Sequence, residues 1–158
     1  MTETDAAATK VWPTGRVLAV DPGERRVGLA LSDEDGLIAQ PLATLTRRGD
    51  AQIAGEIAKV VREREVRTVL VGLALRMDGG EGERARRARS AMKAIVAAVG
   101  PGVAVLARDE RLTSVAADRV LVEAGVREKK RRAEGLTDRV AAALLLQTFL
   151  DEVRAARG

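Results

Sequence analysis

The chain has 158 residues, of which 46% are apolar and 32% are charged, so it can form one globular domain with its own core. It contains no cysteine and no histidine, which excludes disulfides, zinc and iron–sulfur sites, thiol nucleophiles and Ser–His–Asp triads. Trp12 and Phe149 are the only aromatic residues, which excludes single-strand binding by base stacking. Acid–base or metal chemistry must therefore use Asp and Glu, and the net charge of +4 is a weak pointer to nucleic acid.

The N-terminal segment is polar. Residues 1–15 end in Pro13 and Gly15 and predict a flexible tail. The segment carries two acidic residues and no apolar stretch, which argues against a signal peptide. No segment approaches the roughly 20 apolar residues of a membrane span. We therefore expect a cytoplasmic protein that does not contact membranes, with one domain over residues 16–156.

Three short strands come first along the ordered part of the chain. Two turn sequences, Asp21-Pro22-Gly23 and Asp33-Glu34-Asp35-Gly36, separate them, and Pro41 predicts an edge strand or a bulge in the third. The spacing indicates an antiparallel meander with strands over residues 17–20, 27–31 and 37–45.

The pattern then changes to alternating helices and strands. Apolar spacing predicts helices over residues 51–64, 83–98, 112–124 and 137–155, and strands over 69–73 and 103–107. The basic run Arg127 to Arg132 is predicted to be a linker. The order β-β-β-α-β-α-β-α-α indicates an α/β protein with a mixed five-stranded sheet and helices on both faces. This is the element order of the ribonuclease H-like fold.

Three acidic residues lie at the ends of these elements. Asp21 ends the first strand, Glu110 follows the fifth, and Asp138 lies in the first turn of the last helix, whose next residues are apolar. Ligands bind at the carboxyl ends of strands in open α/β sheets. Converging carboxylates repel one another unless a divalent cation lies between them, and Mg²⁺ or Mn²⁺ accepts such ligands. Two ions in such a site would support phosphodiester hydrolysis.

Each of these acids also has a simpler interpretation. Asp21 could cap the turn that follows it, Glu110 could form a surface ion pair, and Asp138 could interact with the helix dipole. Their joint placement is better evidence than any one of them.

A glycine-rich loop and two basic segments are candidates for phosphate binding. The loop over residues 72–82 joins a strand to a helix, but it is neither a P-loop nor a dinucleotide fingerprint; alternatively it is a plain connector. The basic segments could also be solvated faces, but their placement beside the loop and beside Asp138 suits a polyanionic backbone. The candidate nucleic-acid contacts are Arg76, Gly79, Gly80, Gly82, Arg86, Arg89, Lys93, Arg111, Lys129, Lys130, Arg131 and Arg132.

Four blocks of the sequence, in order, resemble the bacterial YqgF/RuvX family. Its members are described as pre-16S ribosomal RNA nucleases and as Holliday-junction-resolvase-like proteins. The blocks are VLAVDPGERRVGLALSD (17–33), VGLALRMDGGEGERARRAR (71–89), DERLTSVAA (109–117) and LTDRVAAALLLQTFLD (136–151).

The resemblance implies a ribonuclease H-like fold with a divalent-metal site formed by Asp21, Glu110 and Asp138. It also implies that Arg76 and the loop glycines lie near the substrate backbone. Here the family's basic run before the last Asp is interrupted by Ala133-Glu134-Gly135.

Three functions remain open at this point. The first is a Mg²⁺- or Mn²⁺-dependent nuclease that matures the 5′ end of pre-16S rRNA, with ribosomal particles as a further partner. The second is a resolvase that cuts four-way DNA junctions with the same acids; symmetric cutting calls for a homodimer rather than a monomer. The third is a non-catalytic RNA-binding factor of ribosome assembly. A further function, that of an ATPase or sugar kinase, is set aside because such an enzyme would need two such domains.

Overall fold

The computed structural model describes residues 3–4, 15–73, 82–110 and 113–157. The strands are β1 (Glu3–Thr4), β2 (Arg16–Pro22), β3 (Arg26–Ser32), β4 (Ala39–Thr46), β5 (Val66–Leu73) and β6 (Ala104–Asp109). The helices are α1 (Asp50–Glu63), α2 (Glu83–Val99), α3 (Thr113–Glu123), α4 (Glu128–Glu134) and α5 (Leu136–Arg157).

The strands form one mixed sheet in the order β1-β6-β5-β2-β3-β4. β2 is parallel to β5 and antiparallel to β3, and β5 is parallel to β6. The five predicted strands and their mixed arrangement are therefore confirmed. The two-residue β1, within the segment predicted to be a tail, adds a sixth strand parallel to β6.

Both faces of the sheet are covered, which explains why β2 is apolar without interruption. On one face, Leu18 and Val20 pack with Ile53 and Ile57 of α1 and with Ile95 of α2. The alternate residues of the strands pack against α5 on the other face, around Phe149. The prediction of helices on both faces is confirmed.

The edge strand β4 contains Pro41, as predicted. Its register against β3 shifts between Leu29 and Ala30, which pair with Ala43 and Pro41. The chain therefore places the proline both at a sheet edge and at an irregularity, where the missing N–H is tolerated.

The basic run before the last helix is not a linker. Residues Glu128–Glu134 form α4, which ends at Gly135 in the left-handed conformation, with φ of +63°. The Thr44 hydroxyl donates a hydrogen bond to the Gly135 carbonyl at 2.7 Å, and a Cβ at residue 135 would lie 2.7 Å from Thr44 Cγ2. A glycine is required at this corner, which fixes the start of α5 against β4.

In the described part of the chain, no helix is both long and apolar enough to cross a membrane.

Candidate active site

The carboxyl ends of β2, β5 and β6 lie at one edge of the sheet, because these three strands are parallel. Asp21 lies at this end of β2, and Glu110 follows β6 directly. The Glu110 backbone N–H donates to the Leu73 carbonyl at 2.9 Å, which extends the β5–β6 pairing by one residue. Local pairing therefore directs two acidic side chains to the place where open α/β sheets bind ligands.

Asp21 and Glu110 are both buried, at 4% and 6% exposure. Burial, together with the neighbouring Asp21 carboxylate, raises the pKa of Glu110 to about 10, whereas the Arg84 cation opposes this shift. Asp21 Oδ1 and Glu110 Oε2 are buried without a hydrogen-bond partner. Buried acceptors without partners are costly, so these two oxygens are suited to a ligand that carries positive charge.

Two glycines make room for the acidic side chains. A Cβ at Gly72 would lie 2.7 Å from Glu110 Cδ, so only glycine allows this carboxylate to lie over β5. A Cβ at Gly28 would overlap the Asp138 carbonyl and lie 2.9 Å from the Arg139 nitrogen. Because Gly28 pairs with Asp21 in register, the first turn of α5 is brought beside Asp21.

Asp138 lies at the edge of this site and is partly exposed. Burial raises its pKa, the Arg26 cation opposes the shift, and the negative charge of Asp21 adds to it. Its Oδ2 forms an ion pair with Arg26 Nε at 3.2 Å. The structure thus brings the side chains of Asp21 and Glu110 together. Asp138 lies beside them, with its carboxylate paired to Arg26.

The chemistry of the donor set fits a divalent cation, because hard cations take carboxylate oxygens. Asp21 and Glu110 offer buried, unpartnered oxygens. As they stand, no three acidic side chains among the described residues are close enough together to hold one ion. Asp138 would have to leave Arg26 to become a third ligand.

The turn after Asp21 is held by Arg47, whose side chain is only 8% exposed. Arg47 Nη1 donates to the Gly23 carbonyl at 2.9 Å, and Nη2 donates to Asp50 Oδ1 at 2.8 Å. The Gly23 N–H in turn donates to the Arg26 carbonyl at 2.9 Å. A buried arginine with both terminal nitrogens hydrogen-bonded therefore fixes the hairpin that carries Asp21 and Arg26.

The predicted nucleic-acid contacts are distributed over two helices. Arg86 and Lys93 are exposed on α2 and Arg89 is half-exposed, while Gly82 precedes the helix as its N-cap. On α4, Lys129, Lys130 and Arg132 are exposed. Four of the predicted contacts lie outside the described residues: Arg76, Gly79, Gly80 and Arg111.

Arg131 has a structural role in addition to its predicted contact. Its Nη1 donates to the Val126 carbonyl at 2.7 Å, and its Nε lies 3.4 Å from Asp118 Oδ1. The side chain therefore ties α4 to α3.

Sequence reasoning did not select Arg26 or Arg84. Arg26 opens β3 directly after the turn that follows Asp21, and Arg84 lies in the first turn of the helix after β5. The sequence signal that could have identified them is their position at the start of the element that follows a strand end, β3 after β2 for Arg26 and α2 after β5 for Arg84. Their cations act on Asp138 and Glu110 respectively.

A sequence profile described as RuvX, Holliday junction resolvase, matches residues 15–152. The chain belongs to the RuvX family. A relative from Syntrophus aciditrophicus is 41% identical over 138 residues, which are 87% of this chain and 89% of the relative. One from Thermobifida fusca is 43% identical over 147 residues, covering 89% of this chain and 90% of the relative. Both bear the name "Putative pre-16S rRNA nuclease".

Solved structures show that this RuvX protein has the fold of known resolvases. Thermus thermophilus RuvC in complex with a Holliday junction substrate matches with a TM-score of 0.56 and 21% identity, over 91% of this chain and 96% of that chain. Fowlpox virus resolvase in complex with Holliday junction DNA matches with a TM-score of 0.54 and 11% identity, over 87% and 98%. The predicted ribonuclease H-like fold is confirmed. Family membership and the names of its relatives identify this RuvX protein as a nuclease, an enzyme that hydrolyses phosphodiester bonds.

Proposed function

We propose that this RuvX protein is a divalent-metal-dependent nuclease whose Mg²⁺ or Mn²⁺ ions, two in number, are held by Asp21, Glu110 and Asp138. The observation that carries the proposal is the pair of buried carboxylate oxygens without hydrogen-bond partners, Asp21 Oδ1 and Glu110 Oε2. They lie where parallel strands end, and a cation would compensate their charge.

The metal ions, when bound, supply an activated water and stabilise negative charge on the phosphate. The chain's own residues prepare the site for them. Asp21 lies centrally, between Glu110 and the first turn of α5. Arg84 favours the ionised form of Glu110, the form that can act as a ligand. The absence of histidine and cysteine leaves these carboxylates as the groups that can act on a phosphodiester.

For the substrate, we propose precursor 16S ribosomal RNA, cut during maturation of its 5′ end. The names of the relatives at about 40% identity support this. The exposed cations Arg86 and Lys93 on α2, together with Lys129 and Lys130 on α4, suit a polyanionic backbone. Ribosomal particles are a further proposed partner.

The second candidate substrate is a four-way DNA junction. The description of the matching profile supports it, as does the fold shared with RuvC. A resolvase cuts two strands symmetrically, which requires a homodimer. A monomeric protein would favour the RNA substrate.

The test compares the two substrates directly. Purified protein is incubated with a precursor 16S RNA fragment and with a four-way junction, in Mn²⁺ or in EDTA, and its oligomeric state is measured. We expect Mn²⁺-dependent cleavage of the RNA. Symmetric cleavage of the junction alone, by a dimer, would establish the resolvase. Binding of RNA in EDTA without cleavage in Mn²⁺ would indicate a non-catalytic assembly factor.

A further inference from the structure

The Arg26–Asp138 ion pair holds one proposed ligand away from the other two. Arg26 Nε lies 3.2 Å from Asp138 Oδ2, and the side chains are 45% and 24% exposed respectively. Meanwhile one oxygen of each neighbouring acid, Asp21 Oδ1 and Glu110 Oε2, has no hydrogen-bond partner. The Asp138 carboxylate therefore lies between two sources of positive charge, the Arg26 guanidinium and any cation that Asp21 and Glu110 hold.

The backbone of Asp138 is fixed, so a change of partner needs only a side-chain rotation. The first turn of α5 packs so closely on β3 that residue 28 cannot carry a Cβ. The preceding corner is held by the hydrogen bond from Thr44 to Gly135. Rotation about side-chain bonds is fast compared with movement of a packed helix.

Arg26 is held in place independently of Asp138. Its Nη1 donates a hydrogen bond to the Arg132 carbonyl at 2.9 Å. The guanidinium opens onto a cleft of about 220 Å³, which is also lined by Asp118, Glu128, Arg131, Arg132, Thr137 and Asp138. Two of these acidic side chains are already paired, Asp118 with Arg131 and Glu128 with Arg132. If Asp138 turned away, the Arg26 cation would remain at the mouth of the site, where it could pair with another anion.

We propose that Arg26 is a positioning residue that exchanges partners, pairing with Asp138 in the metal-free protein and with a backbone phosphate of the nucleic acid once Asp138 turns to the metal. The inference rests on the proposed metal-dependent nuclease function. Arg26 and Asp138 each have a partner of opposite charge before and after the exchange, so neither charge is left uncompensated. Arginine suits the second role because its planar donors match phosphate oxygens.

The first arm of the test measures Mn²⁺ binding by calorimetry without nucleic acid. Arg26→Gln releases Asp138, and we expect about three- to tenfold tighter Mn²⁺ binding. Arg26→Lys keeps the competing cation and should bind Mn²⁺ as the wild type does. Arg25→Gln, an exposed neighbour, removes the same charge and should change little.

A double-mutant cycle separates partner exchange from simple repulsion between Arg26 and the metal. In an Asp138→Asn background, partner exchange predicts that Arg26→Gln no longer tightens Mn²⁺ binding. If Arg26→Gln tightens binding equally in both backgrounds, repulsion explains the effect and the exchange is wrong.

The second arm measures cleavage at saturating Mn²⁺. Arg26→Gln should raise KM about five- to tenfold, the effect expected when one phosphate no longer binds an arginine, while Arg25→Gln should not. If the wild type binds Mn²⁺ and cleaves, but Arg26→Gln leaves both Mn²⁺ affinity and KM unchanged, the exchange alone is contradicted. A wild type that neither binds Mn²⁺ nor cleaves would contradict the proposed function itself.

Discussion

Asp21 and Glu110 place two carboxylates in a region from which water is largely excluded. Such a pair weakens the metal-free fold, since burial and mutual repulsion both oppose ionisation. Such an electrostatic cost to stability is typical of functional sites, where the arrangement needed for activity is not the most stable one.

The first prediction concerns Asp21→Asn. Because Glu110 is still protonated at pH 8, the amide relieves the cost of burying a carboxylate whose Oδ1 has no hydrogen-bond partner. The unfolding free energy in EDTA at pH 8 should therefore rise by about 1 to 2 kcal/mol. Urea unfolding measures this. Asp35→Asn, on an exposed turn at the opposite edge of the sheet, should change stability by less than about 0.5 kcal/mol. A large loss of stability in Asp21→Asn would show that the charge is not a source of strain.

The second prediction concerns pH. Because burial raises the pKa of Glu110 from 4.5 to about 10, the native protein binds this proton more tightly than the unfolded chain does. The resulting stability is fully present below pH 4.5 and is lost as pH rises toward 10. The unfolding free energy in EDTA should therefore fall with increasing pH across this interval.

The comparison for the pH series is Glu110→Gln, whose unfolding free energy should fall less steeply with increasing pH than that of the wild type. Glu34→Gln, at a side chain that is 74% exposed, should follow the wild type. Parallel curves for wild type and Glu110→Gln would contradict the assignment of the proton to this carboxyl.

At the scale of elements, the site depends on how closely α5 approaches β3. A Cβ on Gly28 would overlap the Asp138 carbonyl, and this backbone cannot yield as a flexible side chain would. The packing of one strand glycine therefore decides where the third acid lies.

The third prediction is that Gly28→Ala displaces the start of α5. We expect a loss of about 2 to 4 kcal/mol of unfolding free energy and at least tenfold lower activity. The matched control is Gly55→Ala within α1, where a Cβ meets nothing within 4 Å. That change should stabilise the protein by about 0.5 to 1 kcal/mol. Equal effects of the two substitutions would show that the close approach at Gly28 does not matter.

The placement of Asp21 and Glu110 at neighbouring strand ends could be predicted from the sequence, because strand ends follow from hydrophobic patterning. The pairing of Arg26 with Asp138 could not be predicted, since it depends on how a hairpin and a distant helix pack. Gly28 and Gly72 can be read from the sequence, but the atoms that pack against them, the Asp138 backbone and the Glu110 carboxylate, cannot. The helix α4 was missed because a charged run has no apolar face to reveal its period.

At the scale of the whole molecule, the sheet gathers the acids at one edge and the helices bring exposed cations near them. α4 directly precedes α5, which carries Asp138, whereas the last turn of α1 leads into the start of β5 at the opposite edge. The cations of α4 and those of the last turn of α1 therefore lie at opposite ends of the sheet.

The fourth prediction follows from this separation. Lys129→Ala with Lys130→Ala should weaken RNA binding in EDTA and reduce the slope of log affinity against log salt by about 0.7 for each phosphate that is no longer neutralised. Lys59→Ala with Arg62→Ala on α1 is the matched control and should leave the slope unchanged. Equal slopes for both pairs would place the nucleic acid elsewhere.

The most direct test of the central claim is metal-dependent cleavage by Asp21→Asn beside wild type and Asp35→Asn. A precursor 16S RNA fragment is incubated with each protein across a Mn²⁺ titration, with EDTA as the blank. We predict that wild type and Asp35→Asn cleave only with Mn²⁺, and that folded Asp21→Asn is at least about 10³-fold slower. Cleavage by Asp21→Asn at the wild-type rate, or undiminished cleavage in EDTA, would contradict a metal-dependent carboxylate site.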